Sequence, residues 1–318
     1  MFLDHIPNKK EITETHEKIK DYIHHTPVLT SKALNKMFKC ELFFKCENFQ
    51  KTGSFKLRGA ANAIHSLSDD ELKNGVATHS SGNHAAAVAL SAEMRSAKAY
   101  IVMPRTAPEI KKKAVAGYGA EIIFCEPTLK AREVSLKNIT GKTGAVFIPS
   151  YNNYSIIAGQ ATAAKELIES TNKPDYILTP IGGGGLTSGT ALSVNYFSPE
   201  TQVIACEPVG ADDAFRSIKA GKIIPMINPT TIADGLLTSL GDKTFPIIQQ
   251  YIKEIITVDD ESIIKSMRLI WERMKIIIEP SSAVVLAAVF NRNELFTGKR
   301  VGLILSGGNV DLDNLPWN

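Results

Sequence analysis

Lys51-Thr52-Gly53-Ser54-Phe55-Lys56-Leu57-Arg58-Gly59 places one lysine where a lysine is physically awkward. Lys56 follows a Gly-Ser turn, lies between Phe55 and Leu57, and opens an apolar-periodic run through Ala60, Ala63, Ile64 and Leu67. The spacing predicts a helix with Ser54 as its N-cap. Packing of that helix desolvates the amine, lowers its pKa and makes it a nucleophile toward a carbonyl carbon. Read alone, the segment fits an ordinary solvated lysine better, since most lysines in such a helix are hydrated. Three glycine-rich turns further along give it meaning.

Outward from this stretch, short β-branched runs alternate with helix-length segments. Strands are expected at 42–46, 76–79, 99–103, 121–124, 145–148, 176–179, 203–206, 254–258 and 301–305. Helices are expected at 85–95, 110–118, 129–139, 156–168, 186–196 and 261–274. Such alternation implies an α/β fold of mostly parallel strands joined by helical crossovers. A chain of 318 residues exceeds the size at which one core stops growing, so two lobes are expected. No linker rich in Gly, Ser or Pro and no short-period repeat separates them, so the lobes are interleaved. Residues 1–66 and 155–318 would form a large lobe, and 67–154 a small one of four strands. Ligands in open α/β sheets collect at the carboxyl ends of strands, where every glycine-rich turn here falls.

Composition narrows the class. The chain is 44% hydrophobic and 22% charged, with a net charge of only +3, which gives no footing for nucleic acid. Lys111-Lys112-Lys113 reads as a solvated helix face. Cys40, Cys46, Cys125 and Cys206 show neither a C-x-x-C pair nor zinc spacing, and so few in a long chain suit a reducing compartment. The polar start from Met1 to Glu11 lacks the apolar region of a secretory signal. Ile276-Ile277-Ile278 is cut by Glu279-Pro280, far short of a membrane span. A cytoplasmic protein is expected.

Thr78-His79-Ser80-Ser81-Gly82-Asn83-His84 runs from a strand end into an Ala-rich helix. Free N–H groups at that helix start, with two hydroxyls, suit a carboxylate; the same letters also spell an ordinary cap. Thr179-Pro180-Ile181-Gly182-Gly183-Gly184-Gly185-Leu186 carries four consecutive glycines after an apolar strand. Side-chain-free backbone can curl its N–H groups around a phosphate, with a helix dipole behind. The run lacks the Lys-Ser/Thr ending of a nucleotide P-loop, and no register completes G-x-G-x-x-G. Glu207, at the end of the next strand, stands where a ribose-binding acid would, so a dinucleotide reading stays open. Leu303-Ile304-Leu305-Ser306-Gly307-Gly308-Asn309 ends a strand at Ser306, either as a plain turn or with its hydroxyl in the same cleft.

A lysine, a carboxylate cradle, a phosphate cradle and a strand-end hydroxyl together suit a cofactor with an aldehyde, a phosphate and a ring nitrogen. That cofactor is pyridoxal 5′-phosphate. A neutral hydroxyl at the nitrogen leaves the ring unprotonated and a weaker electron sink. Such a site favours α-proton abstraction followed by rapid elimination or reprotonation.

Ser-Phe-Lys-Leu-Arg-Gly at 54–59, Ser-Ser-Gly-Asn-His at 80–84, Gly-Gly-Gly-Gly-Leu at 182–186 and Ser-Gly-Gly-Asn at 306–309 are a specific set. In this order and spacing they resemble the serine racemase and serine/threonine dehydratase family of fold-type II pyridoxal enzymes, from about Thr26 to Asp311. The resemblance implies a tryptophan synthase β-like fold. It implies Lys56 as the Schiff-base lysine, Phe55 beside it, Asn83 on the cofactor's 3′-oxygen, Gly182, Gly183, Gly184, Gly185 and Leu186 at its phosphate, and Ser306 at its nitrogen. Ser80, Ser81, Asn83, His84, Arg132 and Ser239 would meet the substrate, although Arg132 fits a surface helix equally well. Dehydratases of the threonine type usually carry alanine at the position of Ser81, whereas serine racemases carry serine. A hydroxyl there can supply the proton on the face opposite Lys56, and an alanine cannot.

Glu207, the Ala211 carbonyl and Asp213 resemble a divalent-cation loop for Mg²⁺ or Ca²⁺, with an acidic helix cap as the alternative. A metal role for Glu207 would defeat the dinucleotide reading. Lys51, Thr52, Tyr118 and Asn309 match nucleotide-site positions of ATP-activated racemases, whereas Thr13, Lys32, Ala33 and Ala86 depart from them. Ser150-Tyr151-Asn152-Asn153-Tyr154 departs from the family's Pro-Phe-Asp-Asp-Pro-like loop. The chain stops soon after Asn309, so the regulatory domain of biosynthetic threonine dehydratases is not expected. The resulting expectation is a homodimeric serine racemase that also dehydrates L-serine, acting on a small amino acid without membrane or nucleic-acid partners. A dedicated threonine/serine or 3-hydroxyaspartate ammonia-lyase is the close rival. A dinucleotide-binding oxidoreductase and a non-catalytic cofactor-binding scaffold are remote ones.

Overall fold

The computed structural model describes residues 2–107 and 109–317. Its strands in chain order are β1 (Val28–Leu29), β2 (Glu41–Cys46), β3 (Val76–His79), β4 (Ala99–Pro104), β5 (Glu121–Cys125), β6 (Val146–Phe147), β7 (Tyr176–Pro180), β8 (Gln202–Pro208), β9 (Glu254–Val258) and β10 (Arg300–Leu305). They form two sheets, ordered β1-β2-β10-β7-β8-β9 and β5-β4-β3-β6. Every pairing is parallel except β1 with β2. The α/β expectation therefore holds, and each expected strand is present. β1, too short to carry a period, was not foreseen.

The strand order fixes where ligands can collect. The chain runs from β7 through β8 to β9 and then returns to insert β10 between β2 and β7. Helix Gly185–Phe197, which links β7 to β8, packs with Ile177, Ala205 and Ile304 in one core cluster. Helices Asp260–Met274 and Pro280–Asn291, which lead into β10, pack on the opposite face with Leu178, Ile204 and Leu303. Connections leaving on opposite faces open a crevice at the carboxyl ends of β7 and β10. The tetraglycine turn follows one of these strands and Ser306 the other.

Two local expectations fail for physical reasons. Ser54 does not cap the lysine helix Lys56–His65; the N-cap is Phe55, and no side chain caps it. An antiparallel bridge to Gly307 holds Ser54 extended, and its buried hydroxyl finds no partner. Pro280, read only as the end of an apolar run, starts a helix from its first turn, where its missing N–H costs nothing. That helix is apolar nearly all round because it is buried all round, so it shows little amphipathic period.

Candidate active site

Lys56 stands at the first position of its helix and is partly buried. Its Nζ donates to the Ser150 carbonyl at 3.1 Å and lies 5.1 Å from the centre of the Phe55 ring. Burial pushes the amine down to about 8, and the negative charge of Glu279 pulls it back upward. Half of the amine is then neutral near that pH, a condition for attack on a carbonyl carbon.

The tetraglycine turn is closed against side chains. Gly184 adopts φ +86°, a left-handed conformation that glycine takes without strain, and it is the N-cap of helix Gly185–Phe197. A Cβ on Gly183 would stand 2.6 Å from the Tyr151 ring. The first helical amides have no carbonyl behind them, and among the described residues none of the amides from Gly182 to Leu186 bonds a carbonyl elsewhere in the backbone. Thr244 Oγ1 steadies the turn by donating to the Gly183 carbonyl at 2.9 Å. A row of unpaired N–H groups at a helix N-terminus is an anion cradle, and it fits a phosphate.

The Ser80-to-His84 loop feeds helix Asn83–Glu93. Asn83 donates to both oxygens of Glu279, at 2.9 and 3.1 Å, and accepts from Asn309 Nδ2 at 2.8 Å. Glu279 is buried, and burial pushes its carboxyl up to about 7. Ser80 Oγ accepts from the Gly82 amide at 3.3 Å. Among the described residues no hydrogen bond within the protein engages the Ser81 hydroxyl. His84 is buried beside Lys56, which together with desolvation pushes its imidazole down to about 3. It is therefore neutral, and its Nε2–H donates to the Ile148 carbonyl at 3.1 Å.

Ser306 is buried at the end of β10, with its Oγ 3.1 Å from Ser282 Oγ. Ser282 donates to the Gly307 carbonyl at 2.6 Å, so the Ser306 proton points to Ser282 and can swing to a ring nitrogen instead. A buried amine, an amide cradle and a mobile hydroxyl fit pyridoxal phosphate.

Glu207 accepts from the Ala214 and Phe215 amides, 2.9 Å each, and so caps helix Asp213–Ala220. Burial pushes Glu207 up to about 8 and Asp213 to about 7. Asp213 is buried, the Leu240 backbone and the Arg216 charge hold its carboxyl down against burial, and Ala211 ends the short turn before it. Two buried carboxylates on one loop are oxygen donors of the kind a hard cation takes. Lys51, Thr52, Tyr118 and Asn309 line one cavity of about 360 Å³, together with Lys111 and Asn83. Arg132 lies near His79, whose pKa its charge helps depress, and its Nε is buried without a partner. Ser239 Oγ instead accepts from the Met226 amide at 2.7 Å, which ties it into its own loop. No contact among the described residues joins Arg132 or Ser239 to Lys56.

Several participants escaped the sequence reading. Glu279 was seen only as a break in an apolar run; its signal was an acid directly before a helix-starting proline. Lys111 is not part of a solvated face: it pairs with Asp234 at 2.6 Å and hangs over Gly82. Ser150 acts through its carbonyl, which carries no sequence signal at all.

Comparison with known proteins agrees with this geometry. Residues 19–307 match the family described as pyridoxal-phosphate dependent enzyme. The chain is 49% identical over 314 residues to a β-hydroxyaspartate dehydratase of Paracoccus denitrificans, covering 99% of this chain and 100% of that one. It is also 49% identical over 310 residues to a serine racemase of Dictyostelium discoideum, covering 96% of each. The solved structure of maize serine racemase superposes with a TM-score of 0.94 at 44% identity, covering 97% of this chain and 95% of that one.

Proposed function

The chain belongs to the family of pyridoxal-phosphate-dependent enzymes, and on that premise we propose that it racemises serine and also dehydrates it to pyruvate and ammonia. The observation that carries this reading is the pairing of a desolvated amine at Lys56 with a serine at position 81 whose hydroxyl makes no hydrogen bond among the described residues. Lys56, the Gly182–Leu186 amides, Asn83 and Ser306 would hold the cofactor, which supplies an electron sink that acidifies the substrate's α-proton. Lys56 Nζ takes that proton from one face. Ser81 Oγ gives a proton to the other face and recovers one from solvent, which inverts the carbon. The free amides at the start of helix Asn83–Glu93 orient the substrate carboxylate. In dehydration the α-proton and the C3 hydroxyl leave as water, with no call on Ser81. Hydrolysis of the product's imine form then releases ammonia.

The support for a second reading, a dedicated 3-hydroxyaspartate ammonia-lyase, is the full-length likeness to the Paracoccus dehydratase and the unpartnered Arg132 Nε. Chiral chromatography of serine alongside pyruvate release separates the two. Wild type should form D-serine, and Ser81→Ala should lose interconversion by about 10²–10⁴-fold or more while L-serine dehydration survives. Pyruvate without D-serine from the wild type would transfer the assignment to the ammonia-lyase. Three further proposals accompany this one. A Mg²⁺ or Ca²⁺ ion would sit at Glu207, Ala211 and Asp213, supported by the burial of both carboxylates, which pushes their pKa values up where a cation would relieve it. A nucleotide activator would enter the cavity lined by Lys51, Thr52, Tyr118 and Asn309. The functional unit would be a cytoplasmic homodimer whose lobes divide near residues 66 and 155; among the described residues no helix is long and apolar enough to cross a membrane.

A further inference from the structure

Arg58 shares the first turn of the lysine helix with Lys56 and is the bulkiest side chain wholly removed from water among the described residues. All five of its N–H groups are engaged. Nε and Nη2 each reach Glu47 at 2.8 Å, Nη1 and Nη2 each reach Glu166 at 2.7 Å, and Nη1 also reaches Thr162 Oγ1 at 3.0 Å. Lys45 binds Glu166 as well, so two buried cations face two buried carboxylates and the cluster closes near neutrality.

This grip controls direction. Residues two apart on an α-helix are separated by about 200°, so Lys56 leaves the helix on the side opposite Arg58. Glu47 directly follows β2, and Glu166 lies on helix Tyr154–Ser170. A planar guanidinium held by both admits one rotation of the lysine helix, whose own N-terminus no side chain caps. The acceptor for the Lys56 amine, the Ser150 carbonyl, is carried by the loop that leads into the same Tyr154–Ser170 helix. The two helices meet backbone to backbone, since a Cβ on Gly159 would stand 2.4 Å from the Arg58 carbonyl oxygen. Amine and acceptor thus ride on one rigid pair. A buried ion cluster adds little net stability over apolar packing of equal volume, whereas a fork that selects one orientation is something apolar side chains cannot supply.

We propose that Arg58 is a positioning residue for the reaction: its double bidentate grip on Glu47 and Glu166 aims Lys56 Nζ at the reacting carbon. The inference rests on the role given to Lys56 above. Its test is Arg58→Lys in the holoenzyme, which keeps the charge and loses the fork. The expected result is a fall in kcat of about tenfold or more with little change in KM, as misplacement of a reacting group produces. The pH midpoint of the cofactor's absorbance should move with it. Where Arg58→Lys fails to fold, Glu47→Gln keeps the volume, weakens one grip and should give the same two changes. A folded variant with a lowered melting temperature but unchanged kcat and absorbance profile would reduce Arg58 to a packing element. Wild-type protein that never takes up pyridoxal phosphate would overturn the functional reading itself, and this inference with it.

Discussion

Two opposing influences set the charge of Lys56: burial, which lowers its pKa, and the carboxylate of Glu279, which raises it. Replacing Lys56 with Ala should abolish turnover while the Gly182–Leu186 amides retain some cofactor. A borohydride-reducible cofactor adduct persisting in that variant would place the linkage on another residue. Glu279→Gln removes the charge that favours the ammonium, so the pKa of Lys56 should fall further. The pH dependence of Lys56 modification by an amine-reactive reagent in the cofactor-free protein checks this; a midpoint that stays or rises contradicts it. Glu279 also makes stability depend on pH. Its folded pKa, about 7, exceeds the reference value of 4.5, so its contribution is fully present below 4.5 and is lost as the pH rises through about 7. Glu279→Gln should therefore lose less thermal stability than wild type between about pH 5 and 8.

Among the elements, the tetraglycine turn is the least tolerant of change. Gly183→Ala would drive a methyl into the face of Tyr151, an overpacking that costs roughly 1–3 kcal/mol and is expressed directly in the cradle. Cofactor affinity should drop at least tenfold by equilibrium dialysis. The double variant Gly183→Ala, Tyr151→Ala should recover part of it, because the obstacle is the ring. No recovery would mean that the methyl blocks the phosphate itself. This turn was legible from four consecutive glycines, since nothing else makes such a run useful after an apolar strand. The lysine helix was legible in position but not in mechanism of capping. Ser54 looked like a cap from its neighbours alone, and a bridge to Gly307, more than two hundred and fifty residues away, overrode it.

On the scale of the whole molecule, contacts across the cleft tie the β3–β6 sheet to the larger one. Lys111 reaches Asp234, and Asn83 reaches Glu279 and Asn309. Asp234 is more than half exposed, so its pairing with Lys111 is worth at most about 1 kcal/mol. Lys111→Ala should thus barely move the melting temperature. Because Lys111 also hangs over the turn that carries Ser81, the same variant should raise KM for serine several-fold. A large fall in melting temperature with unchanged KM would make the pair a structural strut instead. The sequence by itself determined the α/β class, the nine main strands, the lysine helix and the three glycine-rich turns. Those are properties of contiguous residues: hydrophobic period, β-branching and the freedom of backbone without side chains. It could not determine that β10 inserts between β2 and β7, because strand order is chosen by packing among segments far apart in the chain. That insertion brings Glu279 to Asn83 across 196 positions and Asn309 to Asn83 across 226. The packing of the lysine helix on Tyr154–Ser170 likewise brings Glu166 to Arg58 across 108. Only the tertiary structure could supply these partners, because an isolated carboxylate or guanidinium carries no local trace of the group that will neutralise it.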